Sequence, residues 1–547
     1  MADEKQTKYI FGIDLGTTYS VISYLDDNMM IQTCSNQEGS DITPSVVDLS
    51  DPENPVVGQV AKDNKTFYPH SVLDFFKREM EKGDGVIFYG ESGEHQTTPI
   101  QLSAEVLKYL ARYAEDATDS AVKAVVITVP AYFGVEQKEA TKKAAQLAGF
   151  TEVTLLEEPT AAAVYYGYKG DKNETVLVYD LGGGTFDIVA VDIDGFKYDC
   201  FAVEGDYQLG GKDWDTEMVK IIKEKLEEQD CDCCGLSPED EAEVRRAAED
   251  LKIKLTAQES AQANLRLEVG KAKIEVTRQE FEDRTRPLLD KTIELTKKVA
   301  EDASVKGKTI TKILLVGGSS YMPQVQQRLT EEFPNIEVPN PMDPNKAVSK
   351  GAAYFGKTLL SKWIAWRKEI EKRAKEAGKS IGEVTLEGIV DDTFVLTPEE
   401  LFVLTDDKDV AEDEIIDIKK VSVSSIGIKG QVGGKPMILT LLKAGDTLPV
   451  SKDQEIPLSD TALLSNNVSL SLYEHRLTDQ LVSPEDTSAG LKEMQEKSGD
   501  ITPNLPAGSK MHVHLEINEE GLLKLTATDP NGKTVELEAT AEAKSAN

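Results

Sequence analysis

Cysteine is scarce in this sequence, with five residues in 547, too few for a disulfide framework. The default expectation is therefore a cytoplasmic protein. Three of the five, Cys231, Cys233 and Cys234, crowd into one acidic stretch. A structural zinc site needs a second Cys or His pair, and none lies nearby in sequence, so the stretch reads as an exposed loop with incidental thiols. Long apolar runs are missing too. No segment approaches the ~20 apolar residues that span a bilayer, and the polar start from Met1 to Lys8 reads as no secretory signal. Positive charge is in deficit: 61 Lys and Arg face 97 Asp and Glu, for a formal net charge of -36. Such a field repels phosphates at long range, which excludes a general binder of nucleic acid or of anionic membrane. Any phosphate site must be built locally, from backbone N–H groups, a metal ion and a few lysines.

With 40% hydrophobic and 29% charged residues, the chain has the composition of a folded globular protein. Its length suggests about three or four domains. From residue 9 to about 360, strand-like and helix-like patterns alternate, the mark of an α/β architecture. Ile10–Ile13, Val125–Val129, Val176–Tyr179 and Ile313–Val316 read as strands. Glu136 to Ala148 places Ala140, Ala144, Leu147 and Ala148 on one helical face. An internal repeat stands out. Ile13-Asp14-Leu15-Gly16-Thr17-Thr18 returns 166 residues later as Tyr179-Asp180-Leu181-Gly182-Gly183-Gly184-Thr185. Each copy follows an apolar strand, so a duplicated domain is expected, with one phosphate loop on each side of a cleft.

Beyond Ser361 the pattern changes. Trp363 to Ala377 is a charged helix pattern closed by Gly378, and residues 379–414 are acidic and mixed. From Ile415 onward short strands dominate, with turns at Gly433-Gly434 and Asp529-Pro530-Asn531-Gly532. The expected layout is a nucleotide-binding domain over 1–360, a connecting insert over 361–414, a linker over 415–420 and an all-β sandwich over 421–547.

The repeat has a chemical reading. Glycines remove side chains where N–H groups must face phosphate oxygens, and Thr17, Thr18 and Thr185 add hydroxyls. Asp14 and Asp180 sit beside these turns and would repel phosphates unless a hard cation lies between them; Mg²⁺ held through water fits.

The motifs containing Asp14 and Asp180, with Val129-Pro130-Ala131-Tyr132-Phe133, Glu158-Pro159-Thr160-Ala161-Ala162-Ala163, Leu209-Gly210-Gly211-Lys212-Asp213, Val316-Gly317-Gly318-Ser319 and Gly351-Ala352-Ala353, resemble the DnaK, or heat-shock protein 70, chaperone family. The match runs over residues 8–358 and resumes less tightly over 415–542. It implies an actin-like, two-lobed ATPase with ribonuclease-H-like cores, followed by a peptide-binding sandwich. It implies ATP/ADP and Mg²⁺ as cofactors, with K⁺ as a further ion. Asp14 and Asp180 would bracket Mg²⁺; Lys77, Glu158, Asp187 and Thr185 would act on the γ-phosphate and the attacking water. Gly16, Thr17, Thr18, Tyr19, Gly182, Gly183, Gly184, Gly210, Gly211, Gly317, Gly318 and Ser319 would line the nucleotide. Glu249, Lys252, Ile253, Thr256 and Tyr321 would hold ribose and base. By pattern alone, Lys77 reads as a solvated surface lysine, and Glu158 and Asp187 as helix or turn caps. The resemblance further implies a monomer that binds unfolded polypeptide and works with a J-domain co-chaperone and a nucleotide-exchange factor.

The chain departs from the family pattern at several points. Ile253 and Tyr321 stand where two arginines usually stack on the adenine. Glu157 replaces an Asn, Thr154 an Arg and Lys138 another Arg, and the linker reads Ile415-Ile416-Asp417-Ile418-Lys419-Lys420, with its usual acidic end reversed in sign. The sequence ends soon after the strand-like Leu537 to Glu542, so no helical lid is expected. Two functions compete: an ATPase that couples nucleotide state to weak polypeptide binding, and an ATP-binding scaffold or co-chaperone with little hydrolysis.

Overall fold

The computed structural model describes residues 5–538 apart from 230–235, 269, 342, 385, 387, 391–393, 407 and 433–434. The cysteine cluster at 231–234, the Gly433-Gly434 turn and the last residues of the final strand-like segment lie outside the described residues.

Five strands form the first sheet: β1 (Ile10–Asp14), β2 (Tyr19–Leu25), β3 (Ile31–Thr33), β4 (Ala124–Val129) and β5 (Glu152–Glu157), in the order β5-β4-β1-β2-β3. A two-residue strand at Thr43–Pro44 joins the edge of β2. The second sheet begins with β6 (Asn173–Leu181), β7 (Phe186–Asp194), β8 (Lys197–Asp206) and β9 (Ile310–Val316), in the order β9-β6-β7-β8. The duplication is visible in the pairing. β1 runs antiparallel to β2 and parallel to β4; β6 runs antiparallel to β7 and parallel to β9. Both central strands are nearly continuous apolar runs, as strands covered on two faces require.

The second sheet is extended by β10 (Asp417–Val421), which pairs parallel with β8 through Tyr198↔Ile418. The linker is thus a strand of the second lobe. The sandwich follows: β11 (Ser425–Val432), β12 (Lys435–Leu442), β13 (Thr447–Leu448), β14 (Val450–Pro457), β15 (Asn467–His475), β16 (Leu481–Val482), β17 (Lys492–Asp500), β18 (Lys510–Ile517), β19 (Leu523–Thr528) and β20 (Thr534–Glu538). One sheet runs β16-β12-β11-β15-β17 and the other β14-β18-β19-β20. Alternation along β18 buries Met511, Val513, Leu515 and Ile517 between them. β13 leaves the sandwich to pair with β10.

Helices α1 (Val135–Leu147), α2 (Glu158–Tyr166), α3 (Gly211–Glu227), α4 (Pro238–Ala257) and α5 (Ala347–Ala377) place the site. α5 packs on β1, β2 and α2. A Cβ on Gly351 would lie 1.8 Å from the Ala161 carbonyl oxygen, and one on Gly12 would lie 2.0 Å from the Ala353 nitrogen. The Gly351-Ala352-Ala353 motif is therefore a seam where backbones meet. The expected boundary at 360 falls inside α5, which stops at Gly378 in the left-handed region, φ 65°. The insert then folds back: α6 (Pro398–Thr405) buries Leu401 and Leu404, with Leu396 and Val410, in the core that holds Trp363 and Ile370.

Candidate functional site

The two repeat turns face each other across a cavity of about 430 Å³ between the lobes. The β1–β2 turn presents Gly16, Thr17, Thr18 and Tyr19, and the β6–β7 turn presents Gly182, Gly183 and Thr185. The turns touch: a Cβ on Gly183 would lie 1.7 Å from the Thr18 hydroxyl oxygen, so only bare backbone permits the approach. The Gly182 carbonyl accepts from the Gly211 N–H at 3.0 Å and from the Ser319 hydroxyl at 2.9 Å. The N-terminus of α3 and the turn after β9 are thereby pinned to the second loop.

Lys77 enters from a short 3₁₀ helix, Phe76–Lys82, and pairs with Glu158, the first residue of α2, at 2.5 Å. Asp14 ends β1 and Asp180 is the last residue but one of β6, and both line the cavity there. One ammonium thus serves four carboxylates, Glu158, Asp14, Asp180 and Asp187. Burial, and after it the charge of Glu158, raises Asp14 to about 7 and Asp180 well above the usual carboxylate range. Asp187 is buried outside the cavity lining. Its Oδ1 accepts the Tyr132 N–H at 2.9 Å, while its Oδ2 has no partner; burial and Glu158 push it up to about 8. Carboxyls pushed up in this way mark a site short of positive charge. Among the described residues no three Asp, Glu, His or Cys side chains are close enough to hold an ion directly. Two hard carboxylates, Asp14 and Asp180, facing the loops fit Mg²⁺, which they would hold through water and which would neutralise phosphate charge there.

At the far end, Lys62 bridges the lobes to Glu249 at 2.7 Å and to the Tyr19 hydroxyl at 3.0 Å. Lys252 pairs with Asp215 at 2.7 Å. Ile253 and Tyr321 flank the mouth, 55% and 45% exposed. Lys252, Thr256, Gly317, Gly318 and Ser319 line the cavity with them. Three expected site residues do not line it: Asp187, Gly184 and Gly210. The Gly184 carbonyl accepts from Arg78 Nε at 2.6 Å, and a Cβ on Gly210 would lie 2.6 Å from the Gly184 carbonyl carbon. Both glycines back the second loop without facing the cavity. Sequence reading passed over Phe75, Lys212, Asp215 and Asn345 as lining residues. Lys212 and Asp215 had a signal, since they follow the Gly210-Gly211 pair on the first turn of α3; Phe75 and Asn345 had none.

A family model described as Hsp70 protein matches residues 10–365, most of the chain. The chain belongs to the Hsp70 family. Its curated relatives include proteins called Chaperone protein DnaK. The one from Halobacterium salinarum is 37% identical over 369 residues, 66% of this chain and 56% of that one. Those from Mycoplasmoides gallisepticum and Thermosipho africanus are 37% and 35% identical, covering 64% and 68% of this chain and 60% and 62% of their own. The matched region is thus little more than half the length of these relatives.

In this Hsp70-family chain Glu157, Lys138 and Lys420, set far apart in the sequence, meet one another. Glu157 ends β5, one residue from Glu158, but faces away from the cavity. It pairs with Lys420 of β10 at 2.6 Å and with Lys138 of α1 at 3.2 Å. All three side chains are at most 12% exposed. Burial would raise Glu157, but Lys420 and Lys138 hold it down to about 2. The sandwich docks on the same face. Glu520 pairs with Lys142 at 2.9 Å and accepts the Leu155 N–H at 3.3 Å, and Lys492 pairs with Glu136 at 2.8 Å. No helix among the described residues is long and apolar enough to cross a membrane.

Proposed function

We propose that this chain hydrolyses ATP in the interlobe cavity and couples the nucleotide state to binding of extended polypeptide by the sandwich. The observation that carries the reading is the buried Lys77–Glu158 pair, set between Asp14, Asp180 and two touching phosphate loops. The loops would bind the β- and γ-phosphates through Thr17, Thr18, Thr185 and backbone N–H groups. Lys77, turned from Glu158 to the γ-phosphate, would neutralise charge there. Glu158, released by that turn, would orient the attacking water, with Asp187 beside it as a proton-holding neighbour. Mg²⁺ at Asp14 and Asp180 would supply charge neutralisation of the phosphates. Positioning and charge compensation are the main routes open to phosphoryl transfer.

Glu157 and Glu158 are adjacent, one on the linker and one on Lys77, which supports a short path between cavity and sandwich. Extended polypeptide would bind the sandwich by backbone hydrogen bonds and side-chain pockets. A J-domain co-chaperone and a nucleotide-exchange factor are proposed partners on family grounds. A second reading, an ATP-holding scaffold, draws support from Ile253 and Tyr321, which leave the adenine without a cationic stack.

The test is steady-state ATP hydrolysis with and without an excess of an unstructured hydrophobic peptide, with Asp180→Asn as control. Hydrolysis that is peptide-accelerated and lost in Asp180→Asn is expected. ATP binding without turnover would overturn the ATPase reading in favour of the scaffold.

A further inference from the structure

A second cavity, of about 150 Å³, opens against the first of these loops, at Thr17 and Thr18. Those two threonines, Phe75, Lys212, Asp215 and Glu249 line both cavities, whereas Arg245 and Lys65 line only the second. Its carboxylates are already engaged. Asp74 pairs with Lys65, Asp215 with Lys252 and Glu249 with Lys62. Arg246 is likewise taken, by Glu243 and Asp250. Two cations remain. Lys212 and Arg245 make no ion pair among the described residues. The Lys212 ammonium lies over the Phe75 ring, 4.3 Å from its centroid, and the Lys212 N–H ties the first turn of α3 to the Gly183 carbonyl at 2.8 Å. Two cations without an ion pair beside these threonines are out of character in a chain of formal charge -36. A local surplus of that kind concentrates anions against the overall field.

We propose that this second cavity is a site for inorganic phosphate, held between Lys212 and Arg245 and next to the Thr17 and Thr18 hydroxyls. The proposal rests on the ATPase reading for the source of its ligand. When water adds to the γ-phosphorus and the bond to the β-bridging oxygen breaks, ADP keeps that oxygen and fills the first cavity. The phosphate, with the proton lost by the water, is left at the threonine loops, where the second cavity is the neighbouring space. The site gives it a way out that does not require ADP to leave first.

The experiment is calorimetric titration of inorganic phosphate into the full chain saturated with Mg²⁺ and ADP. Saturable binding at one site is expected, weakened at least tenfold in Arg245→Glu and in Lys212→Gln, with ADP affinity unchanged in Arg245→Glu. Arg245 is exposed, so its charge reversal leaves the fold intact. Absence of saturable binding, or wild-type affinity in both variants, overturns the proposal. ADP binding is read in the same samples and separates the two ideas. If ADP fails to bind, the nucleotide reading fails, and the same phosphate titration of the chain alone still decides the second cavity, by the same loss in Arg245→Glu.

Discussion

Asp14, Asp180 and Asp187 are the residues whose chemistry is most altered by the fold. Burial, and after it the charge of Glu158, raises all three above the usual carboxylate range, Asp14 to about 7 and Asp187 to about 8. The sign of the pH dependence follows. With folded pKa values above the unfolded one, these groups bind more protons in the folded chain than in the unfolded chain. Their contribution to stability is complete below about pH 4 and is lost as pH rises through about 7 to 8. The thermal midpoint of the nucleotide-free chain should therefore fall between pH 6 and 8, and Mg²⁺ with ADP should flatten the trend. Binding of Mg²⁺ and ADP near pH 6.5 should release protons, because the cation favours the ionised carboxylates. Calorimetry in buffers of different ionisation enthalpy measures the release; a heat independent of buffer would contradict this account.

At the scale of elements, α5 is the spine. It crosses from the α2 seam to the insert, and its two informative glycines act for different reasons. Gly351 has no room: a Cβ there would lie 1.8 Å from the Ala161 carbonyl oxygen. Gly378 has open space but needs φ 65° to end the helix. Gly351→Ala should cost about 3 kcal/mol or more, because backbone cannot move aside as a side-chain tip can. Gly378→Ala should cost about 1 kcal/mol from the left-handed conformation alone. Urea midpoints of the two variants test the ranking; equal shifts would refute it. The insert after Gly378 is an element whose packing was hidden in sequence. The Leu396 and Leu401 side chains are buried only because α5 places Trp363 and Ile370 beside them, and Glu152 on the edge strand β5 accepts the Leu396 N–H at 3.0 Å.

At the scale of the whole molecule, one buried carboxylate, Glu157, ties the first lobe to the linker strand, beside the separate sandwich contacts of Glu520 and Lys492. Glu157 between Lys138 and Lys420 is worth little against an apolar replacement of all three, but removing one member leaves buried charge unpaired, at about 3–5 kcal/mol. Glu157→Gln should therefore release β10 from β8 and loosen the docked sandwich. Limited proteolysis within residues 415–424 should speed up at least tenfold, while Lys420→Met, which removes one of two like charges, should have a smaller effect. An unchanged cleavage rate in Glu157→Gln would show that the backbone pairing of Tyr198 with Ile418 holds the linker alone.

The strand–Asp–Gly–Thr repeat, the sandwich strands and the turn residues that line the cavity were legible in the sequence. Each is written within about ten consecutive residues, where alternation, turn chemistry and bare backbone leave their own pattern. The basic end of the linker, Lys419-Lys420, was legible as well, but only as a sign without a partner. That Lys420 meets Glu157, that Lys77 meets Glu158 across 81 residues, and that Asp187 lies outside the cavity lining were decided by the tertiary structure alone. Local sequence determines which surface an element presents, because backbone sterics and side-chain period act between neighbours in the chain. Which charges end up together is determined by how the lobes and the sandwich pack, since a buried ion takes its partner from whatever the fold brings within reach.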